Sequence, residues 1–428
     1  MSEKLIFLLR RWLLKTWVRC VLFSLAALVA ISLSMLLGST IPEDTAVKFG
    51  ADSIGSLLTI LATSMLTVAV FSASIMVASF GAVASSASPR AAQLFVEDPI
   101  IQNTLATFVG AFLYSIIALV GLHAQIYGGG GRLILFGFTM VILLVVVIVL
   151  LRWMDFLSVL GRMGETIERV QTATTKAMDQ RLRGPWLGGV PQPAGARGAH
   201  AICAPTTGFI QHISMDVLQE CAETLGGTLH VHVLPGRFVE PSILMVSSDI
   251  EIDAVHTKKI SDAVLVGAAR TFEHDPRFGL VVLSEIATRA LSPAVNDPGT
   301  AQAVLAATVK VLVHWVQHQP GVDAVPEPKF SRVTAPALPE ARLLQDVFLP
   351  LARYGAQAVE VGQSMQRALA SIGRLDHAGF NATLKELSTY AIAQAVRAGM
   401  SDADLQRLRD AGGPGPFTFV ETLHAQNR

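Results

Sequence analysis

The sequence predicts a membrane α-helical fold: four transmembrane helices, then a cytoplasmic α+β region made of a small β half-barrel-like domain and a helical domain. Three observations predict it. The chain has 428 residues, 51% of them hydrophobic and only 15% charged, where a soluble chain carries about 25% charged residues. The depletion is local, with no Asp, Glu, Lys, Arg or His from Ser53 to Pro89 or from Leu133 to Leu151. Runs of that length are the signal of a spanning helix. Beyond them the pattern changes, first to short alternating segments and then to apolar residues at three- and four-residue spacing.

The membrane domain is expected over 1–155, with spans at about 17–38, 53–84, 103–122 and 133–153. Lys4, Arg10, Arg11, Lys15 and Arg19 precede the first span, whereas the loop after it holds Glu43, Asp44 and Asp52 against Lys48 alone. Arg90 follows the second span, and Arg152, Arg162 and Arg169 follow the fourth. Positive charge collects on the cytoplasmic side, so both termini are expected in the cytoplasm. The first run lacks a small-residue cleavage site and reads as a retained span. The basic stretch from Leu5 to Lys15 either lies along the cytoplasmic leaflet or extends the first span.

Net charge is zero, which gives no reason to expect a nucleic-acid partner. Cys20, Cys203 and Cys221 form no CxxC pair, so neither a disulfide framework nor a zinc site is expected. No cofactor or metal is expected, and the partners expected are the lipid bilayer, further copies of the chain, and small ions.

The second span is the most informative. From Ser53 to Ser86 it would run about 51 Å as a helix, against a bilayer core of about 30 Å. At about 100° per residue, Ser56, Thr63, Thr67, Ser74, Gly81 and Ser85 fall on one line, and Ser72, Ser79 and Ser86 on another. Such a stripe either packs against another helix or lines a pore, its hydroxyls replacing part of a solute's hydration shell. A stripe turned to lipid in a lone protomer would leave only an anchored domain. No span carries an ionisable group at its middle, which argues against a proton-coupled transporter. The third and fourth spans are joined through Gly128–Gly131, read as a flexible turn.

After the membrane domain, 156–200 reads as a helical extension and linker, broken by the Gly/Pro-rich stretch from Gly184 to Gly195. Residues 201–252 read as a small β-rich domain similar to a biotinyl/lipoyl-like half-barrel, although no lysine lies between Thr206 and Ser248 to act as a carrier. Residues 253–412 read as a helical domain, with a Pro-rich separator over Pro320–Pro339, and 413–428 as a loose tail. His230 and His232 share one face of a strand, a spacing that can chelate a transition metal or simply place two half-buried imidazoles.

Helices at Phe278–Leu291 and Thr300–His318 each begin after Asp-Pro, where Asp275 and Asp297 can cap and Pro fits the first turn. Were these helices antiparallel, Arg270, Glu273, His274, Asp275, Arg289, Asn296 and Asp297 could converge on a ligand or ion. No nucleophile–base pair stands at recognisable spacing, so no enzyme is expected.

Ser88-Pro-Arg90, Arg270-Thr-Phe-Glu-His-Asp-Pro-Arg-Phe-Gly279, Ala290-Leu-Ser-Pro-Ala-Val-Asn-Asp-Pro-Gly-Thr-Ala301 and Arg353-Tyr-Gly355 resemble motifs of a bacterial family of membrane proteins with a domain of unknown function. The resemblance covers nearly the whole chain and implies an architecture without an established activity. Many members carry an acidic pair before the Arg of the longer motif, where this chain has Ala268-Ala269. The leading expectation is a homo-oligomeric channel or pore-like assembly with a cytoplasmic assembly or gating domain. The alternative is a membrane-anchored sensor or scaffold whose cytoplasmic domain binds a ligand or partner.

Overall fold

In hydrocarbon the backbone of a long uncharged run has no partner but itself, so such runs close into unbroken helices. The computed structural model describes residues 51–96, 98–196, 198–320 and 327–413, with Val21, Leu25, Leu28, Val29, Ser32 and Leu33. Those six are helical; the rest of the first expected span, and the basic stretch before it, lie outside the described residues. The next three expected spans are α1 (Ala51–Ser86), α3 (Pro99–His123) and α4 (Gly129–Val159), with the short α2 (Pro89–Val96) between the first two. Each helix outruns its expected span because helix continues past the apolar core into polar flanks.

The described residues form two compact units, one holding those of 5–85 and 92–162, the other holding Ser86–Ala91 and the chain from Met163 on. In the first unit, Asp98 accepts from the Ile100 amide at 2.7 Å and Pro99 enters the first turn, starting α3. Tyr114 on α3 meets Thr139 on α4, hydroxyl to hydroxyl at 3.2 Å, with both residues buried. The glycine run is only partly a turn: Gly128 precedes the helix and Gly129–Gly131 form its first turn. The reversal is made instead by the residues before it, where the buried Tyr127 packs against Gly121.

The second unit begins with α5 (Met163–Arg183), expected as an extension but in fact a core helix. It packs against α8 (Pro276–Ala290) and α9 (Pro298–Gln317). The contact with α8 needs Gly279, because Thr174 leaves no room there for a Cβ. His314 of α9 meets Asp179 of α5 at 2.6 Å. The helical layer continues with α10 (Glu340–Tyr354), α11 (Val359–Gly373), α12 (Ala378–Arg397) and α13 (Asp402–Ala411).

Four helices among the described residues are long and apolar enough to cross a bilayer, and the fourth of them is α9. Its packing assigns it elsewhere. Val304, Leu305, Val311 and Leu312 are buried by α5, α8 and α11, so α9 is hydrophobic because it is central.

The β-rich part is more interleaved than a 201–252 segment. A five-stranded sheet runs in the order β1 (Gly189–Pro191), β8 (Phe330–Ala335), β4 (Leu229–Val231), β6 (Leu244–Ser248), β2 (His200–Cys203). A second sheet holds β5 (Phe238–Val239), β3 (Gly208–Ile213) and β7 (Val264–Gly267). Helices α6 (Met215–Leu225) and α7 (Ala254–Ala263) are inserted between the strands. The expected Pro-rich separator thus contains β8, which pairs in parallel with both β1 and β4. Pro336 and Pro339 stand just beyond the strand, where no ladder donor is needed. Ile210, Leu218, Val231, Met245, Val246, Ile260 and Val333 make the core of this part.

Filling the α5–α8 crossing tests this packing. Gly279→Val should destabilise the second unit by about 1–3 kcal/mol through overpacking against Thr174, read as a lowered thermal midpoint of the full chain in detergent. Thr174→Ala in the same protein should recover part of that loss.

Candidate functional site

The longer of the two Asp-Pro motifs builds a buried polar centre. Asp275 is 3% exposed and accepts from the Phe278 amide at 3.2 Å, capping α8. Its Oδ2 also accepts from Arg270 Nε at 2.7 Å. The Arg270 guanidinium lies 5.0 Å from the centre of the Phe278 ring. Burial pushes the Asp275 carboxyl above its ordinary range, with Arg270 pulling it back down. The turn after β4 presses on this carboxylate. Gly236 has φ of +87°, and a side chain there would fall on Asp275, so only glycine fits. Two residues after Asp275, Arg277 makes a bidentate pair with Asp346 of α10 at 2.7 and 3.0 Å.

Beside this centre lies a cleft of about 180 Å³. His274 from the motif and His212 from β3 face each other there, their ring centres 4.7 Å apart. Arg181, near the end of α5, also lines the cleft and is 6% exposed. Its burial lowers the guanidinium to about 10, with Asp275 acting in the opposite sense. Arg181, His212, Asp346 and Gly236 were missed in the sequence. Arg181 alone left a signal: it continues the inward register Val170, Thr174, Ala177, Met178 of an amphipathic helix.

The second motif stands apart from the first. Asp297 accepts from the Thr300 amide at 3.0 Å and its hydroxyl at 2.6 Å, capping α9. Asn296 and Arg289 are exposed beside it, Asn296 with φ of +48°. Glu273 is exposed in the first motif. The two joints flank the 15-residue α8, about 22 Å apart at 1.5 Å per residue. The seven residues therefore divide into Arg270, Glu273, His274 and Asp275 at one end and Arg289, Asn296 and Asp297 at the other. Both expected caps are present.

The strand histidines are structural. His230 is 7% exposed and engages Thr334 at 2.8 Å and Asp249 at 2.9 Å. His232 engages Gln192 at 3.2 Å and Ser247 at 2.8 Å. With both nitrogens of each ring in use, His230 on β4 and His232 just beyond its end tie this segment to its neighbours.

In the first unit, Ser56, Thr63, Thr67, Ser74, Gly81 and Ser85 are all exposed on the protomer. At 100° per residue they oppose the buried face of α1, formed by Leu58, Met65, Ser72 and Val83. Among the described residues, therefore, nothing packs over the stripe inside the protomer. Thr63, Thr67 and Ser74 each donate to the carbonyl four residues earlier at 2.9 Å, and Ser85 to that of Ala82 at 2.9 Å. Hydroxyls so satisfied carry little penalty wherever the stripe points.

The third motif, Ser88-Pro-Arg90, has a specific partner. Ser88 is buried and donates to Glu285 Oε2 of α8 at 2.7 Å, while Arg90 pairs with the other oxygen of the same carboxylate. Residues directly after α1 are thus held by the helical core of the second unit.

A profile described as "Predicted membrane protein (DUF2254)" matches residues 14–371, a span that takes in all four motifs. The chain belongs to this family. Relatives of the DUF2254 chain include uncharacterised proteins of Mycobacterium bovis and Mycobacterium tuberculosis, each 27% identical over 278 residues, covering 59% of this chain and 50% of theirs. The chain spans about half the length of these curated relatives. No solved structure matches it. This DUF2254 member is a multi-pass membrane protein with a mixed α/β region after its N-terminal spans.

The Asp297 cap gives a pH-dependent prediction. Its hydrogen bonds to the Thr300 hydroxyl and amide hold the carboxyl below its ordinary range. A depressed acid stabilises the fold above its unfolded pKa, and that contribution is lost as pH falls through the folded value. Asp297→Ala should cost about 1 kcal/mol at neutral pH. The gap to wild type should close as pH drops below about 4, followed by thermal unfolding at stepped pH.

Proposed function

We propose that this protein is a membrane-anchored sensor. In this reading its C-terminal unit lies on the cytoplasmic face of a bacterial inner membrane, binds a ligand without transforming it, and passes occupancy to the second span. The observation that carries the reading is the Ser88–Glu285–Arg90 clamp. A domain that is merely tethered needs only a flexible connection. Here the chain leaving the 36-residue α1 is engaged within two residues by a buried hydroxyl and within four by an ion pair. Glu285 lies on α8, the helix whose first turn carries the Asp275 centre beside the cleft. A shift of α8 on ligand binding is therefore felt at the end of the span.

A second reading, a homo-oligomeric pore for small ions, is favoured by one observation. The hydroxyl stripe of α1 lies opposite the face that the other described helices bury, the orientation required of a surface shared between copies. The self-satisfied hydroxyls weaken it, because they remove the cost of lipid exposure that would force the stripe inward.

Two measurements separate the readings. Glu285→Ala in the full chain in nanodiscs should speed hydrogen exchange across 86–96 by about fivefold, the equivalent of roughly 1 kcal/mol; unchanged exchange would remove the coupling. Reconstituted liposomes should show no ion flux under the sensor reading. Flux that Ser74→Leu or Thr67→Leu alters would establish the pore instead.

A further inference from the structure

Arg181 is a charge out of balance with its surroundings. The other two buried or half-buried arginines of this centre have carboxylates: Arg270 has Asp275, and Arg277 has Asp346. Arg181 is more buried than either, and its Nη1 has no hydrogen-bond partner. Among the described residues no carboxylate pairs with it, and the nearby Asp275 is already occupied by Arg270 and the α8 amide. A buried ion without a partner costs several kcal/mol even after relaxation. The register of α5 nonetheless places it inward, since Val170, Thr174, Ala177 and Met178 on the same face are all buried.

The space beside it is shaped for a counter-charge. Gln180, His212 and His274 bring further polar groups to the cleft, and Met215 and Phe330 are among its apolar walls. At about 180 Å³ it is smaller than the roughly 300–1,000 Å³ of sites for drug-sized ligands. The planar fork of a guanidinium matches the oxygens of a phosphate or carboxylate.

We infer that Arg181 anchors a binding site for a small oxyanion, a phosphate or carboxylate group held between α5, β3 and the turn before α8. This names the ligand class for the sensor proposed above and rests on that reading for its purpose, although the binding itself does not require it. The anion supplies the paired charge that no described residue gives Arg181, and an apolar remainder, where the ligand has one, lies against Met215 and Phe330.

The test uses the full chain in phosphatidylcholine nanodiscs, followed by thermal unfolding with inorganic phosphate, with acetate, and with sodium chloride at matched ionic strength. Phosphate or acetate should raise the midpoint by about 3 °C or more beyond the chloride control. Arg181→Met should abolish that rise without lowering the midpoint of the unliganded protein, since an apolar residue replaces an unpaired buried charge. Arg181→Lys, which keeps the charge and loses the fork, should weaken binding at least tenfold by calorimetry. A rise in phosphatidic-acid nanodiscs alone would assign the anion to a lipid headgroup, and a rise with free phosphate in phosphatidylcholine would assign it to a soluble ligand.

The inference is overturned if neither anion nor phosphatidic acid has an effect beyond chloride, or if the effect survives Arg181→Met. Should Arg181→Met fail to fold, calorimetry of wild type and Arg181→Lys decides alone, equal affinities overturning the site. Loss of anion binding with the Glu285→Ala exchange result intact would sink this site and spare the sensor. Binding with no change in exchange would do the reverse.

Discussion

One buried carboxylate organises the second unit. Asp275 is the cap that starts α8, the partner that allows Arg270 to be half-buried, and the surface against which the Gly236 turn closes. It lifts the Arg181 guanidinium against the effect of burial without pairing to it. The helix that follows, the arginine just before it and a turn some forty residues upstream therefore depend on one side chain whose ionised form is disfavoured by its own burial. The arrangement holds only because the helix amide and the arginine together replace the water that Asp275 loses. The Pro276 that follows offers no competing donor and fixes the first turn of α8.

The fold was legible where a single physical demand dominates. An uncharged run in lipid must be a helix, so α1, α3 and α4 could be read from missing charges alone. The Asp-Pro joints could be read because capping is local, each carboxylate needing only the amide three residues on. Legibility failed where a segment's role is set by partners far away. α5 looked like an extension because half its surface is polar, yet its other face fills the helical core. β8 was hidden among prolines, since a six-residue strand between distant neighbours carries no local sign of which sheet it will enter. α9 shows the converse, being apolar enough to pass for a span and apolar because helices surround it.

The candidate site was legible by halves. The residues of the longer motif do gather, and those of the second motif do not, because the 15-residue α8 lies between them and no spacing rule reports distance along a folded helix. The Ser88-Pro-Arg90 motif was visible, whereas Glu285 was one acid among many. The alcohol stripe could be drawn as a line; its direction was not readable, since helical periodicity shows which residues share a face and is silent on what that face meets.

The placement of β8 has a consequence for how the chain is made. It fills the gap between β1 and β4, and its residues lie about 100 positions after those of β4, with α7, α8 and α9 in between. During synthesis the β-rich part emerges with that gap open, and it closes only once residue 335 has left the ribosome. Until then β1 has no neighbour in its sheet and β4 shows a bare hydrogen-bonding edge, the kind of surface that recruits strands from other nascent chains. The delay favours slow, late closure. It also makes exchange of β8 between two copies a ready error whenever membrane insertion brings them side by side.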